Sequence, residues 1–366
     1  METKSIRNYG IDILKITSVI MIIVSHLMGY ANFKEIVGVG TLKWYETYAL
    51  LCIFIPFLDC FALITGYLMY KKKQNWLRFS NLYTKVLFYS VILMLVSVFV
   101  FQEYKITDII YHLIPTFSSR YWYWTAYVIV YMFGPFINKA IEQLDKDECK
   151  KLLYVILFSG VIINIIKDGA IQGPAFLFGF SAIWLIFCYI LGAIIKKYDF
   201  LHSKSTKKLV IVYLLCLIIT FCVSVSMELA QLKYGEIISD DLKCILFKYN
   251  SITVIIAAIC LLEIFCRIKL KNVQCVCKVV TMLSNASFGV YIIHNHDMIR
   301  EKLMFIFRGI TQYNAVMYML AIVFSSIIIY VCCALIDIVV SNFFIRCKYI
   351  KVINEKIALF LEKCFG

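Results

Sequence analysis

Long apolar runs separated by short polar segments recur from one end of this 366-residue chain to the other. Stretches such as 19–24 and 91–101 are continuous runs, not alternations of apolar and polar positions. About 20 apolar residues in a helix cross roughly 30 Å of hydrocarbon, where backbone polar groups must be satisfied within the segment. The pattern therefore predicts an all-α fold, a polytopic transmembrane helical bundle, and excludes a β-barrel.

We predict about ten membrane-spanning helices in one domain that covers residues 1–366. The membrane core is expected at 7–345, followed by a basic cytoplasmic tail at 346–366. No linker rich in Pro, Gly or Ser and no soluble insertion divides the chain. The predicted spans are 11–31, 47–70, 83–101, 121–138, 152–166, 174–195, 209–229, 249–266, 281–298 and 315–345.

Composition and charge agree with this interpretation. Apolar residues make up 62% of the chain and charged residues 16%, below the roughly one quarter typical of soluble domains. The loops of one alternating set carry 25 of the 37 Lys and Arg residues, and the other set carries 11. Because positively charged loops stay in the cytoplasm, both termini are expected there, in a multi-pass protein of the cell membrane.

The net charge of +14 requires no nucleic-acid partner, since basic loops such as 71–73 find their counter-charge in anionic membrane lipids. Most of the fifteen cysteines lie in apolar runs, where they act as small buried hydrophobes. Cys275 and Cys277 form a C-x-C without a matching second pair. We therefore expect no metal site and no bound cofactor.

The first span carries an unusual polar stripe. Lys15 and His26 are about 20° from a whole number of helical turns apart, and roughly 16 Å apart along the axis. Asp12 lies three residues before Lys15 and is expected to pair with it. An imidazole suits proton transfer, and a distant cation suits the phosphate of a long ligand. A packed histidine bonded to a neighbouring helix is the alternative for His26.

Histidines elsewhere have plainer interpretations. His112 is expected in a solvated loop, and His296 with Asp297 in a loop without a catalytic role. His294 ends a polar span, where it either contributes to a site or makes a structural hydrogen bond.

Four passages in order resemble the integral membrane acyltransferases of acyltransferase family 3, in particular the surface-polysaccharide O-acetyltransferase branch. The first is Asp12-Ile-Leu-Lys15 followed by His26, and the second is Ile64-Thr65-Gly66-Tyr67. The third runs from Tyr121-Trp122-Tyr123 to Asn138, and the fourth is Gly289-Val-Tyr-Ile-Ile-His294. Lys15 departs from the family's arginine, Thr65 from a common serine, and Asp59 from a position that is often amidic or small.

The resemblance implies transfer of an acetyl or other short acyl group from acyl-CoA, as a donor substrate, to a hydroxyl of a glycan or its lipid-linked precursor. His26 would be the general base, and His294 would orient the acceptor or share the proton. The implied substrate-binding residues are Lys15 and Asp12 for the donor end, and Arg120, Trp122, Tyr123, Asn138 and Tyr291 elsewhere. The aromatic residues among them would also fit an interfacial belt.

A transporter or flippase of a glycan precursor is the main alternative function, since it too would need buried charge and a basic cytoplasmic face. The absence of an internal repeat disfavours it. A third alternative, a membrane anchor or sensor, lacks the soluble module such proteins carry. The oligomeric state is left open by the sequence.

Overall fold

The computed structural model describes residues 7–102, 105–118, 120–162, 179–200, 203–235, 245–270 and 273–365. These residues form α-helices joined by turns, with one π-helical segment, Phe158–Ile162, and one 3₁₀ segment, Arg308–Gln312. The helices are α1 Tyr9–Tyr30, α2 Phe33–Ile36, α3 Leu42–Phe54, α4 Pro56–Met69, α5 Trp76–Phe101, α6 Ile106–Leu113, α7 Trp122–Gln143, α8 Lys146–Leu157, α9 Ala182–Tyr198, α10 Thr206–Tyr234, α11 Ile252–Cys266, α12 Gln274–His294, α13 Asp297–Phe305, α14 Ala315–Arg346 and α15 Lys348–Phe365.

Six helical segments in the described part of the chain are long and apolar enough to cross a membrane. They are α1, the continuous pair α3–α4, α5, α10, α12 and α14. The apolar helix α11 is shorter. The all-helical fold is confirmed, while the count of ten spans and the side on which the termini lie stay predictions.

Several predicted helix boundaries move because of local capping. The helix predicted at 83–101 begins at Trp76, where the Asn75 side chain accepts a hydrogen bond from the Arg78 amide at 2.8 Å. The helix predicted at 281–298 is instead Gln274–His294, and its last residue is His294.

The helix predicted at 47–70 is divided before Pro56, which has no amide hydrogen for the preceding turn. The helix predicted at 152–166 begins at Lys146, because Asp145 and Glu148 form a capping box. Residues 163–166 and 174–178 of the predicted spans lie outside the described residues.

The segment predicted as a tail is a helix, α15, that docks on α5. Ser80 donates to the Asn354 backbone carbonyl at 2.8 Å, and Thr84 donates to the Asn354 side-chain oxygen at 2.5 Å. Asn354 is fully buried although it lies in a helix of mostly exposed residues. These bonds hold the end of the chain against the bundle.

Helix α1 lies inside the bundle, in contact with α4, α11, α12 and α14. Beside it, α4 and α9 approach backbone to backbone. A Cβ added to Gly66 would lie 1.9 Å from the Tyr189 carbonyl oxygen, and one added to Gly192 would lie 2.1 Å from the Leu63 carbonyl oxygen. Both positions therefore require glycine, which explains the glycine of the second motif.

Candidate active site

Two histidines from opposite ends of the chain meet inside the bundle. His26 lies on α1, and His294 is the last residue of α12. His26 Nδ1 and His294 Nε2 are 3.2 Å apart, and the ring centroids are separated by 5.3 Å. His294 is fully buried, whereas His26 keeps part of its surface accessible. The contact shows that the His26 imidazole points into the protein interior.

The hydrogen bonds of this pair fix where each proton lies. The Val290 carbonyl is 2.7 Å from His294 Nδ1 and can only accept, so His294 carries its proton on Nδ1. Its Nε2 is then an acceptor, and His26 Nδ1 must donate to it. His26 Nε2 is left with a free lone pair. The hydrogen-bonded series of Val290, His294 and His26 therefore leaves one nitrogen, His26 Nε2, able to accept a proton.

The neighbourhood of the pair contains polar groups without well-formed hydrogen bonds among the described residues. They are the Tyr291 hydroxyl, the Asn295 side-chain oxygen and Arg300 Nε, all buried atoms. The Arg300 guanidinium lies 4.7 Å from the ring centroid of Tyr30, which in turn contacts the His26 ring edge at 5.6 Å. Buried polar atoms in proteins are rarely left unpaired, so these groups are suited to a polar ligand.

The sequence did not point to Tyr30, Asn295 or Arg300. Tyr30 follows His26 by four residues on the same helix face, so helical spacing could have found it. Asn295 and Arg300 follow the last motif residue, where no periodicity indicated an inward direction.

Lys15 and Asp12 do not pair as expected. Asp12 is held by Arg7, whose Nε donates at 2.6 Å, and by the Ser284 hydroxyl at 2.7 Å. Arg7 precedes α1, and its side chain folds back over the first turn of that helix. It therefore binds the Asp12 carboxylate in place of Lys15. The structure records no hydrogen bond or ion pair for Lys15 among the described residues. The charge that acts most strongly on Lys15 is still that of Asp12, followed by the cations Arg78, Arg7 and Lys72.

The predicted substrate-binding residues are partly brought together. Tyr291 lies beside His294, with 6.2 Å between ring centroids, and Tyr123 contacts Tyr291 at 5.8 Å. Trp122 is half-buried and packs against the Tyr123 ring at 5.6 Å. These three aromatic residues therefore form a continuous path of rings that ends at the histidine pair.

Two further predicted substrate-binding residues make contacts away from the histidine pair. Asn138 donates to the Met69 carbonyl at 3.0 Å and accepts from the Tyr189 hydroxyl at 3.1 Å, which joins α7 to α4 and α9. Arg120 makes ion pairs with Asp108 and Asp297.

Asp59, the unusual residue of α4, is fully buried and accepts a 3.0 Å hydrogen bond from the Trp184 indole.

A second histidine pair lies where Arg120 binds Asp297. His112 was expected in a solvated loop, but it is fully buried on the short helix α6. His296 is also fully buried, and its ring stacks on that of His112 with 4.5 Å between centroids. Burial lowers the pKa of His296 to about 4. Burial alone would raise the pKa of Asp297, but contacts with His112, His296 and Arg120 outweigh it and lower that pKa.

The described helices form an apolar bundle with the His26–His294 pair in its interior. The family model described as an acyltransferase domain matches residues 8–338, nearly the whole chain. The chain belongs to this family, acyltransferase family 3, as the four motifs indicated. No curated protein and no solved structure matches it.

Proposed function

We propose that this acyltransferase is a multi-pass enzyme of the cell membrane that moves an acetyl or short acyl group from acyl-CoA to a hydroxyl of a cell-surface glycan or its lipid-linked precursor. The proposal is carried by the 3.2 Å contact between His26 Nδ1 and His294 Nε2 and the 2.7 Å contact between His294 Nδ1 and the Val290 carbonyl. With both rings neutral, these contacts leave His26 Nε2 free to accept a proton. A helix that only packed in a membrane would have no use for such a nitrogen.

The reaction needs a hydroxyl made nucleophilic beside a thioester. His26 Nε2 takes the hydroxyl proton while the oxygen attacks the thioester carbonyl carbon. The tetrahedral intermediate collapses as the carbon–sulfur bond breaks, and the proton held by His26 passes to the departing CoA sulfur. The products are the O-acyl ester and free CoA thiol, and His26 returns to its neutral form.

His294 acts through His26 in this scheme. Its Nε2 accepts the His26 Nδ1 proton, which keeps the ring in the base-competent tautomer and stabilises the imidazolium that forms. The Val290 carbonyl fixes His294 in turn at 2.7 Å. The arrangement has the logic of a triad, in which a third group orients the base.

The donor is proposed to enter from the cytoplasm at the Lys15 end of α1, with both termini on that side of ten spans. Lys15 has no ion-pair partner recorded among the described residues, and the cations Arg78 and Lys72 act on it in addition to the paired charges of Asp12 and Arg7. Lys15 and His26 are roughly 16 Å apart along the helix. That separation suits a carrier whose phosphates bind at one point and whose thioester reacts at another.

The acceptor is proposed to bind along the aromatic path formed by Trp122, Tyr123 and Tyr291, since sugar rings pack well on aromatic faces. Asn295 and Arg300 offer hydrogen bonds to sugar hydroxyls where the path meets the histidine pair. Arg120 and Asn138 would support this surface through the helices they join.

Purified protein with acetyl-CoA and surface glycan tests the proposal. We expect free thiol to be released only when the acceptor is present, with the acetyl ester recovered on the glycan. His26→Ala should abolish both. Ser25→Ala is the matched control, because Ser25 is adjacent on α1 but donates to the Ile22 carbonyl at 2.8 Å. Equal thiol release by wild type and His26→Ala would remove His26 as the base.

A further inference from the structure

The buried cluster of His112, His296 and Asp297 lies outside the proposed catalytic pair. One ligating atom from each residue lies within 4.8 Å of the others. His112 Nε2 is 3.2 Å and His296 Nδ1 is 3.7 Å from the same atom, Asp297 Oδ1. Both nitrogens are buried, and Asp297 Oδ1 is the polar atom that each of them faces.

The outer hydrogen bonds of the cluster determine which nitrogens carry protons. The Ser90 hydroxyl donates to the His112 carbonyl at 3.0 Å, so it accepts from His112 Nδ1, also at 3.0 Å. The Ser90 carbonyl can only accept, and it lies 3.1 Å from His296 Nε2. Each imidazole therefore points its proton toward Ser90 and its lone pair toward Asp297.

With these tautomers, both lone pairs face a carboxylate oxygen and repel it unless a proton or a metal ion lies between them. The cluster and its surroundings hold two carboxylates, Asp297 and Asp108, against one guanidinium, Arg120. With both histidines neutral, one negative charge is uncompensated beside an Asp297 side chain that is only 13% exposed, which is costly. A positive charge between the three ligating atoms would remove both the repulsion and the imbalance.

We propose that His112 Nε2, His296 Nδ1 and Asp297 Oδ1 bind a divalent transition metal ion of the Zn²⁺ class. Two imidazoles and one carboxylate are a common ligand set for such ions. Metal-to-ligand distances of about 2.0–2.2 Å place neighbouring ligand atoms roughly 3.3 Å apart, close to the 3.2 and 3.7 Å found here. The nearly parallel rings must tilt from their stack when the ion binds, by rotation about the Cβ–Cγ bond.

The surrounding bonds are those expected of a metal site. Ligating histidines usually donate their second N–H to an oxygen, and here Ser90 receives both donations. Arg120 occupies the other carboxylate oxygen, Asp297 Oδ2, and so directs Oδ1 toward the histidines. The ion would join α6 to the start of α13, two residues beyond His294. Its role is to position the end of α12.

Metal analysis of the purified protein tests the site without relying on activity. The chain should be prepared with a removable tag that lacks histidine and analysed by mass spectrometry after incubation with Zn²⁺ and dialysis. We expect about one equivalent per chain for wild type and loss of that metal in His112→Ala and in His296→Ala. His294→Ala is the matched control, since it removes a buried imidazole outside the cluster and should retain the metal.

A thermal measurement covers the case in which a variant does not fold. Chelation of wild type should lower its Tm, and added Zn²⁺ should restore it, because an ion that binds the folded state stabilises it. Wild type that holds no metal and shows no Tm response would overturn the proposal and indicate a proton shared between His112 and Asp297. Metal retained in both His112→Ala and His296→Ala would overturn it as well.

Discussion

The two histidine pairs of this protein differ in the direction of the hydrogen bonds that their rings make. In the His26–His294 pair, each ring donates in one direction, from His26 to His294 and on to the Val290 carbonyl. In the His112–His296 pair, both rings donate outward to Ser90, and their lone pairs converge on a carboxylate. The first arrangement leaves one nitrogen of His26 without a recorded partner among the described residues, and the second turns two nitrogens toward Asp297 Oδ1.

The difference teaches that burial and residue type do not decide what a histidine does. His112, His294 and His296 are all fully buried. What separates the pairs is the acceptor that each outer nitrogen finds, since an acceptor fixes the tautomer and the tautomer fixes where the lone pair points. Substitutions in the two regions should therefore affect different measurements.

The largest effect is expected for His26→Ala. Loss of general-base catalysis should lower the rate of acyl transfer by about 10²–10⁴-fold, with protein abundance in the membrane unchanged. Single-turnover measurement of thiol release checks this. Transfer at the wild-type rate would place the base elsewhere and end the distinction between the pairs.

His294→Ala should lower kcat by about 10–100-fold, because His26 loses the group that fixes its tautomer. His294→Gln should recover part of the loss, since the amide oxygen can accept the His26 Nδ1 proton. The ratio of the two kcat values is the measurement. If Gln were no better than Ala, His294 would act by packing and not through its acceptor nitrogen.

Lys15→Ala should raise KM for the acyl donor about tenfold, which corresponds to roughly 1.4 kcal/mol of lost binding, and should change kcat little. Lys15→Arg keeps the charge and should be tolerated. Measuring the transfer rate against acyl-donor concentration for both variants gives the two KM values that test this prediction. Unaltered donor dependence in Lys15→Ala would remove this residue from the site.

The smallest effect on chemistry is expected for His112→Ala. It should leave the acyl-transfer rate of the folded protein within about threefold of wild type, while the Tm falls by several degrees. Thermal unfolding and activity assays run in parallel separate the effect on the Tm from the effect on the acyl-transfer rate. A loss of activity comparable to that of His26→Ala would show that the two pairs work as one unit.

The local parts of the fold could be predicted from sequence. Continuous apolar runs gave the helices of the bundle, and helical spacing placed Lys15 and His26 on one face. Helix starts moved by up to eight residues, as at Ala182 and Trp76, because caps such as Ser181 and Asn75 decide where a helix starts. The family was identified from four short motifs, and the match over residues 8–338 confirms it.

Contacts between distant segments could not be predicted in this way. The His26–His294 contact joins positions 268 residues apart, and it depends on how α1 packs against α12. His112 was placed in solvent because it lies between two predicted spans, in a segment interpreted as a loop. The pairing of Asp12 with Lys15 followed a rule for helix interiors, whereas Arg7 reaches Asp12 from outside the helix.

The crossing of α4 and α9 limits how the bundle can move. At Gly66 and Gly192 no side chain separates the two helices, so neither can slide or roll without a collision of main-chain atoms. Helices α4 and α9 therefore move together as one rigid unit. Any motion that opens the bundle therefore has to come from helices that contact each other through side chains and not through backbone atoms.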